Sequence, residues 1–177
     1  NYKTDQNLFE FLFFDKLDNS KFLYKGMFNL NPFYSRLVGN ADKINLAYLF
    51  NSNSLILQLL KTEILNNKNI EFELSVDVEN LKNNFIFRDI KLNSKIQDGL
   101  IDVDNTEFRW SNFADFKLSN SLIFYENGQL FLDGKMQITI NNYEDIYKYL
   151  LTPKNFRKKL KSIDFSFSYN FDQKTTI

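Results

Sequence analysis

From Ile70 onward the chain alternates apolar and polar residues, with Ile70, Phe72, Leu74, Val76 and Val78 separated by Glu71, Glu73, Ser75 and Asp77. A period of two sends each parity to its own side of an extended backbone, so the segment predicts a strand with one apolar and one wet face. The pattern returns at Leu130, Leu132, Met136, Ile138 and Ile140, and again at Ile163, Phe165, Phe167, Tyr169 and Phe171. Residues 8–14 and 22–30, joined through Asp18-Asn19-Ser20, read as a hairpin, and further strands are expected at about 69–79, 85–96, 99–110, 115–125 and 129–140. Asn127-Gly128 lies between two alternating runs, and both residues accept the positive φ of a type I′ turn. Apolar parity slips from odd at Ile101 and Val103 to even at Phe108 and Trp110, which a bulge near Asp104-Asn105 would absorb. Between Asn31 and Asp42 the presence of Pro32 and Gly39 predicts a loop with a short helical turn.

Two stretches change period. Leu55, Ile56, Leu59, Leu60 and Ile64 follow helical spacing behind the cap-forming Ser52-Asn53-Ser54, and Asn66-Asn67 ends the run. Tyr143, Ile146, Tyr147, Leu150 and Leu151 follow the same spacing behind Asn142, with Asp145 placed as in a capping box. Thr152-Pro153 then predicts a second short helix that turns Phe156 and Leu160 inward. The expected fold is mainly β with helices (α+β). It has a long antiparallel meander with one apolar face, one helix before it, and a helix pair before the last strand.

Composition narrows the chemistry. In 177 residues, 20 Phe and 9 Tyr against 2 Pro and 5 Gly suit long strands around a sizeable core, in a single β-rich domain with a sub-boundary near 31–44. The heavy use of Asn, Lys, Ile and Phe reads as the codon bias of an AT-rich genome. Basic and acidic residues cancel at 22 each, which removes the positive field that nucleic-acid binding uses. With no Cys and no His, thiol nucleophiles, imidazole bases and the usual transition-metal ligands are excluded, and no cofactor is expected. No run reaches the roughly 18 apolar residues of a membrane span. The opening Asn1-Tyr2-Lys3-Thr4 reads as the start of a fragment of a larger protein.

Two clusters carry charge that chemistry could use. Asp98, Asp102, Asp104 and Glu107 start like a calcium loop, but Glu107 and Phe113 stand where such a loop needs Gly and a bidentate Glu, so a solvated strand face is expected. Lys154, Arg157, Lys158, Lys159 and Lys161 crowd five cations into eight residues, which suits anionic lipid headgroups or, more plainly, a solvated helix end. No Gly-rich phosphate loop or nucleophile elbow is present, so the chain is expected not to be an enzyme.

The phrases Leu59-Leu-Lys-Thr-Glu-Ile-Leu-Asn-Asn-Lys-Asn-Ile70, Gly99-Leu-Ile-Asp-Val-Asp104, Leu132-Asp-Gly134 and Tyr147-Lys-Tyr-Leu-Leu-Thr-Pro-Lys-Asn-Phe-Arg-Lys-Lys-Leu160 together resemble the AsmA-like family of Gram-negative envelope proteins. The resemblance spans roughly residues 45 to 171 and rests on the order and texture of the elements. It implies a periplasmic domain, anchored to the inner membrane through a segment outside this chain, that takes part in phospholipid handling and outer-membrane biogenesis.

Ile70, Phe72, Leu74, Val76, Leu130, Leu132, Met136, Ile138, Phe165 and Phe167 are the candidate lipid-groove residues, and the five cations are the headgroup candidates. The expected partners are phospholipid and neighbouring segments of the parent protein. A structural or adhesive β module with a sealed core is the alternative, and a carboxylate-dependent hydrolase is a third.

Overall fold

The computed structural model describes residues 2–5, 7–17, 20–31, 33–44, 61–62, 70–81 and 84–176. It is mostly β, with twelve strands in one sheet among the described residues. They are β1 (Tyr2–Asp5), β2 (Leu8–Leu17), β3 (Ser20–Leu30), β4 (Phe33–Ile44), β5 (Ile70–Leu81), β6 (Asn84–Gln97), β7 (Leu100–Asp102), β8 (Glu107–Trp110), β9 (Ala114–Glu126), β10 (Gln129–Ile140), β11 (Ser162–Asn170) and β12 (Thr175–Thr176). Neighbours follow chain order except that β8 sits beside β7, between β6 and β9. Every pair is antiparallel but β4 with β5, which run parallel across a connection that spans residues 45–69.

Three features of the chain set this architecture locally. Asn127 (φ 49°) and Gly128 (φ 82°) form the expected tight turn, with Glu126 opposite Gln129. Asp98 (φ 53°) and Gly99 (φ 77°) make a second such turn between β6 and β7. The parity slip is resolved by a full break: β7 ends at Asp102, Asn105 takes φ 60°, and β8 resumes at Glu107. A bulge in the β9–β10 pairing at Asp133–Lys135 faces Asn120 (φ 49°), where a Cβ on Gly134 would collide with Ser121 Oγ.

From Phe33 on, the stretch expected to loop at 31–42 is strand β4, paired with β3 on one side and β5 on the other. The expected helix pair is one helix, α1 (Tyr143–Tyr149), followed by a single 3₁₀ turn at Lys154–Phe156. Leu151 at φ 54° stops α1, and Pro153 with ψ 145° holds extended backbone where helical geometry was required. The capping residue of α1 is as expected: Asn142 Oδ1 accepts from the Asp145 N–H at 3.1 Å. Of the helix expected at 54–65, only Lys61, which is helical, and Thr62 lie within the described residues.

Two buried clusters lie along the sheet. Ala41, Val76, Val78 and Ile90 form the first, flanked by Tyr24, Leu74, Leu92 and Phe108. Ile101, Ile123 and Leu130 form the second, flanked by Ile96, Leu132 and Phe171.

Candidate functional site

Residues directly opposite each other in a ladder share a face of the sheet, so the pairings trace the apolar surface from strand to strand. Phe72 stands opposite Ile96, Ile96 opposite Ile101, Ile101 opposite Ile123, Ile123 opposite Leu132, and Leu132 opposite Tyr169. Toward the other edge, Leu74 stands opposite Leu37, Leu37 opposite Gly26, and Gly26 opposite Phe11. A lower row runs from Phe108 through Phe116 and Ile138 to Ile163, and Met136 lies between Leu118 and Phe165. One apolar face therefore continues from β2 to β11.

Phe72, Leu74, Val76, Leu130, Leu132, Met136, Ile138, Phe165 and Phe167 all lie on this face. Ile70 takes the register position opposite Phe33, and its side chain is outside the described residues. The candidates are not equally open. Val76 (5% exposed) and Leu130 (1%) are buried in the two clusters. Phe72, Leu74, Leu132, Met136, Ile138 and Phe167 are half-buried, and Phe165 is 43% exposed. The face is closed at Val76 on β5 and Leu130 on β10, and is most open at Ile163 and Phe165 on β11.

Aromatic rings smooth the β2–β4 end. A Cβ on Gly26 would strike the Phe11 ring, and one on Gly39 would strike the Tyr24 ring, so each ring lies across the glycine of the next strand. Burial there raises the Tyr24 phenol above its ordinary pKa. Phe9 and Phe28 stack at 4.7 Å, and Phe108 and Phe116 at 4.6 Å.

The opposite face carries paired charges, alongside exposed Leu12, Phe14, Leu23 and Val38 on β2–β4. Lys95 Nζ meets Glu71 at 2.8 Å, which raises the lysine pKa, and Arg36 Nε lies 3.7 Å from Glu73. The Tyr34 hydroxyl donates to Glu73 at 3.3 Å, and its pKa is raised by partial burial and then by that carboxylate. Arg109 bridges Asp89 at 2.9 Å and Asp115 at 2.8 Å. In the calcium-like phrase, Asp102 accepts from the Asp104 N–H at 2.7 Å and Asp104 from the Ser121 N–H at 2.6 Å, so both carboxylates hold the break between β7 and β8. Among the described residues no group of three or more acidic side chains is arranged to hold a metal ion.

The cations lie outside the strands, on the connection from α1 to β11. Lys154, Lys158, Lys159 and Lys161 are exposed, while half-buried Arg157 donates from Nε to the Thr152 carbonyl at 2.9 Å. The Tyr147 hydroxyl donates to the Lys158 carbonyl at 2.8 Å and accepts its N–H at 3.2 Å, which ties the connection to α1. Phe156 and Leu160, expected to point inward, are exposed, as are Leu150 and Leu151. Among the described residues no second helix forms between Thr152 and Lys161 to present Phe156 and Leu160 to the sheet.

No family model matches this chain, and neither a curated protein nor a solved structure does.

The site is therefore described by its own geometry. Ile96, Ile101, Ile123, Phe108 and Phe116 complete the apolar rows, yet none was a candidate from sequence. The Asp98-Gly99 turn was the signal that could have placed Ile96 beside Ile101.

Proposed function

We propose that this chain handles phospholipid without catalysis, holding acyl chains along its apolar sheet face as lipid moves between the inner and outer membranes. The observation that carries this reading is the row from Phe72 to Tyr169, unbroken across six strands, buried at Ile101 and Ile123 and half-buried at both ends, with exposed Phe165 beside it on β11. An acyl chain laid along such a row loses apolar area to the protein, worth about 25 cal/mol for each Å² removed from water. The backbone beneath it stays paired in the ladder, so the ligand meets no unsatisfied polar group. The resemblance to the AsmA-like family supports the same role, and with it a periplasmic place and an anchor outside this chain. Paired carboxylates on the other face favour a lipid-binding surface over a hydrolytic site, since each faces a cation or a backbone N–H.

A second reading, a structural or adhesive module with a sealed core, is favoured by the near-complete burial of Leu130, Val78 and Val76. Native mass spectrometry of the purified chain, with extraction and identification of bound lipid, separates the two. Phospholipid at a defined stoichiometry, lost in Ile138→Asp and in the more exposed Phe165→Asp, is the expected result. A folded, lipid-free wild-type chain would move the assignment to the sealed module.

A further inference from the structure

We infer that the connection from α1 to β11 is a membrane-docking surface that binds an anionic phospholipid bilayer. Leu151 is 86% exposed, Phe156 66%, Leu150 58% and Tyr149 54%, on one stretch of thirteen residues that ends at Lys161. Isolated exposed apolar residues are ordinary, but four large ones so close together mark a surface that contacts another apolar phase.

The same stretch carries Lys154, Arg157, Lys158, Lys159 and Lys161, and no Asp or Glu occurs from Ile146 to Ile163, although the whole chain has 22 basic and 22 acidic residues. Apolar side chains flanked by cations fit the boundary of a bilayer, where acyl tails take the Leu and Phe side chains and phosphates meet the ammonium groups. An acidic protein surface without an apolar groove would satisfy the charges and leave Leu151 and Phe156 in water.

The surface is held in place. Tyr149 packs on Trp110 at 5.4 Å and on Phe113 at 5.8 Å, and the Tyr147 hydroxyl fixes Lys158. Lys161 is also the last residue before β11, and its carbonyl accepts from the Ile140 N–H at 2.8 Å. The docking stretch thus ends two residues before Ile163, which is 40% exposed and stands opposite Ile138 on the apolar face. The choice of a lipid partner rests on the acyl-chain reading above, while docking is measured separately from lipid uptake.

The test is co-sedimentation of the full chain with vesicles of phosphatidylcholine alone and of phosphatidylcholine mixed with phosphatidylglycerol. Binding to the mixed vesicles only, weakened by salt, is expected. Lys158→Glu with Lys159→Glu should lower partitioning at least roughly thirtyfold, since two cations are lost. Leu151→Ser with Phe156→Ser should also release the chain, and since all four positions are exposed, circular dichroism should show both variants folded.

Equal binding to both vesicle types, or unchanged binding of either double variant, overturns the inference. So does a chain that stays in the supernatant with both, as it would if the patch served an acidic protein or a nucleic acid. Lipid in the native mass spectrum without vesicle binding would sink docking alone. Vesicle binding by a lipid-free chain would sink the groove alone.

Discussion

Gly39 shows how one residue can mislead when read without its neighbours. Beside Pro32 it signals a loop, because glycine weakens a strand and proline removes a donor. In the folded chain it occupies the middle of β4, opposite Val76 on one side and Tyr24 on the other, and the phenol ring lies where a Cβ would stand. Gly39→Val should therefore displace the ring and destabilise the fold by about 1–3 kcal/mol, the usual cost of overpacking. A urea melt checks this, and a midpoint equal to wild type would show that the ring is free to move aside. Gly26 under Phe11 makes the same arrangement one strand away. Neither pair was legible in sequence, because the partner of each glycine is fixed by register, 15 residues distant in both cases.

Elements with long, regular alternation were legible. β5, β10 and β11 follow the period-two runs to within a few residues, and Asn127-Gly128 turns where its φ preferences require. The short helix α1 was legible through its spacing and cap, but the second was not, because spacing does not say whether a surface exists to receive an apolar side. The second helix was expected to bury Phe156 and Leu160, and it reduces to one 3₁₀ turn with both exposed.

In β11 the hydrogen-bond directions follow from its ends. The Lys161 carbonyl accepts from Ile140 N–H and the Phe171 N–H donates to the Leu130 carbonyl, so odd-numbered residues face β10. The even residues from Ser162 to Ser166 then point outward, and β12 pairs only with Tyr169 and Asn170. Amide hydrogen exchange should be slow at Ile163, Phe165 and Phe167 and fast at Asp164 and Ser166, read residue by residue by NMR. Uniform protection across 163–167 would reveal a further strand on this edge.

At the scale of the whole molecule, distant parts of the chain meet through charges that sequence spacing does not reveal. Lys61, in the connection between β4 and β5, pairs with Asp172 just after β11, and Asp172 also accepts the Leu130 N–H at 2.9 Å. The lysine, and then that N–H, hold the Asp172 carboxyl below its ordinary pKa. Asp115 is likewise lowered, by a hydrogen bond from Asn141 and, against the opposing effect of partial burial, by Arg109. Both groups ionise more readily folded than unfolded, where the value is about 3.9. Their contribution is complete well above that value and is lost as pH falls through the lower folded values. Thermal melts should therefore show a midpoint that is steady from neutrality to about pH 5 and drops below about pH 4. Asp172→Asn should lower the neutral midpoint and flatten the acid drop. A variant with the wild-type acid slope would remove Asp172 from this account.

Periodicity determined that the chain would be mainly a sheet and which parity would be apolar, and composition that it would carry no thiols or imidazoles, since these depend only on residue type and local backbone preference. Tertiary structure alone decided that β4 and β5 run parallel and that Phe72 continues through Ile101 to Tyr169 as one row. It also decided that Leu130 is sealed while Phe165 stays open, and that Leu151 and Phe156 face water among lysines. Those outcomes depend on which strand pairs with which and on what remains to cover each side chain, and both are set by contacts between residues far apart in the chain.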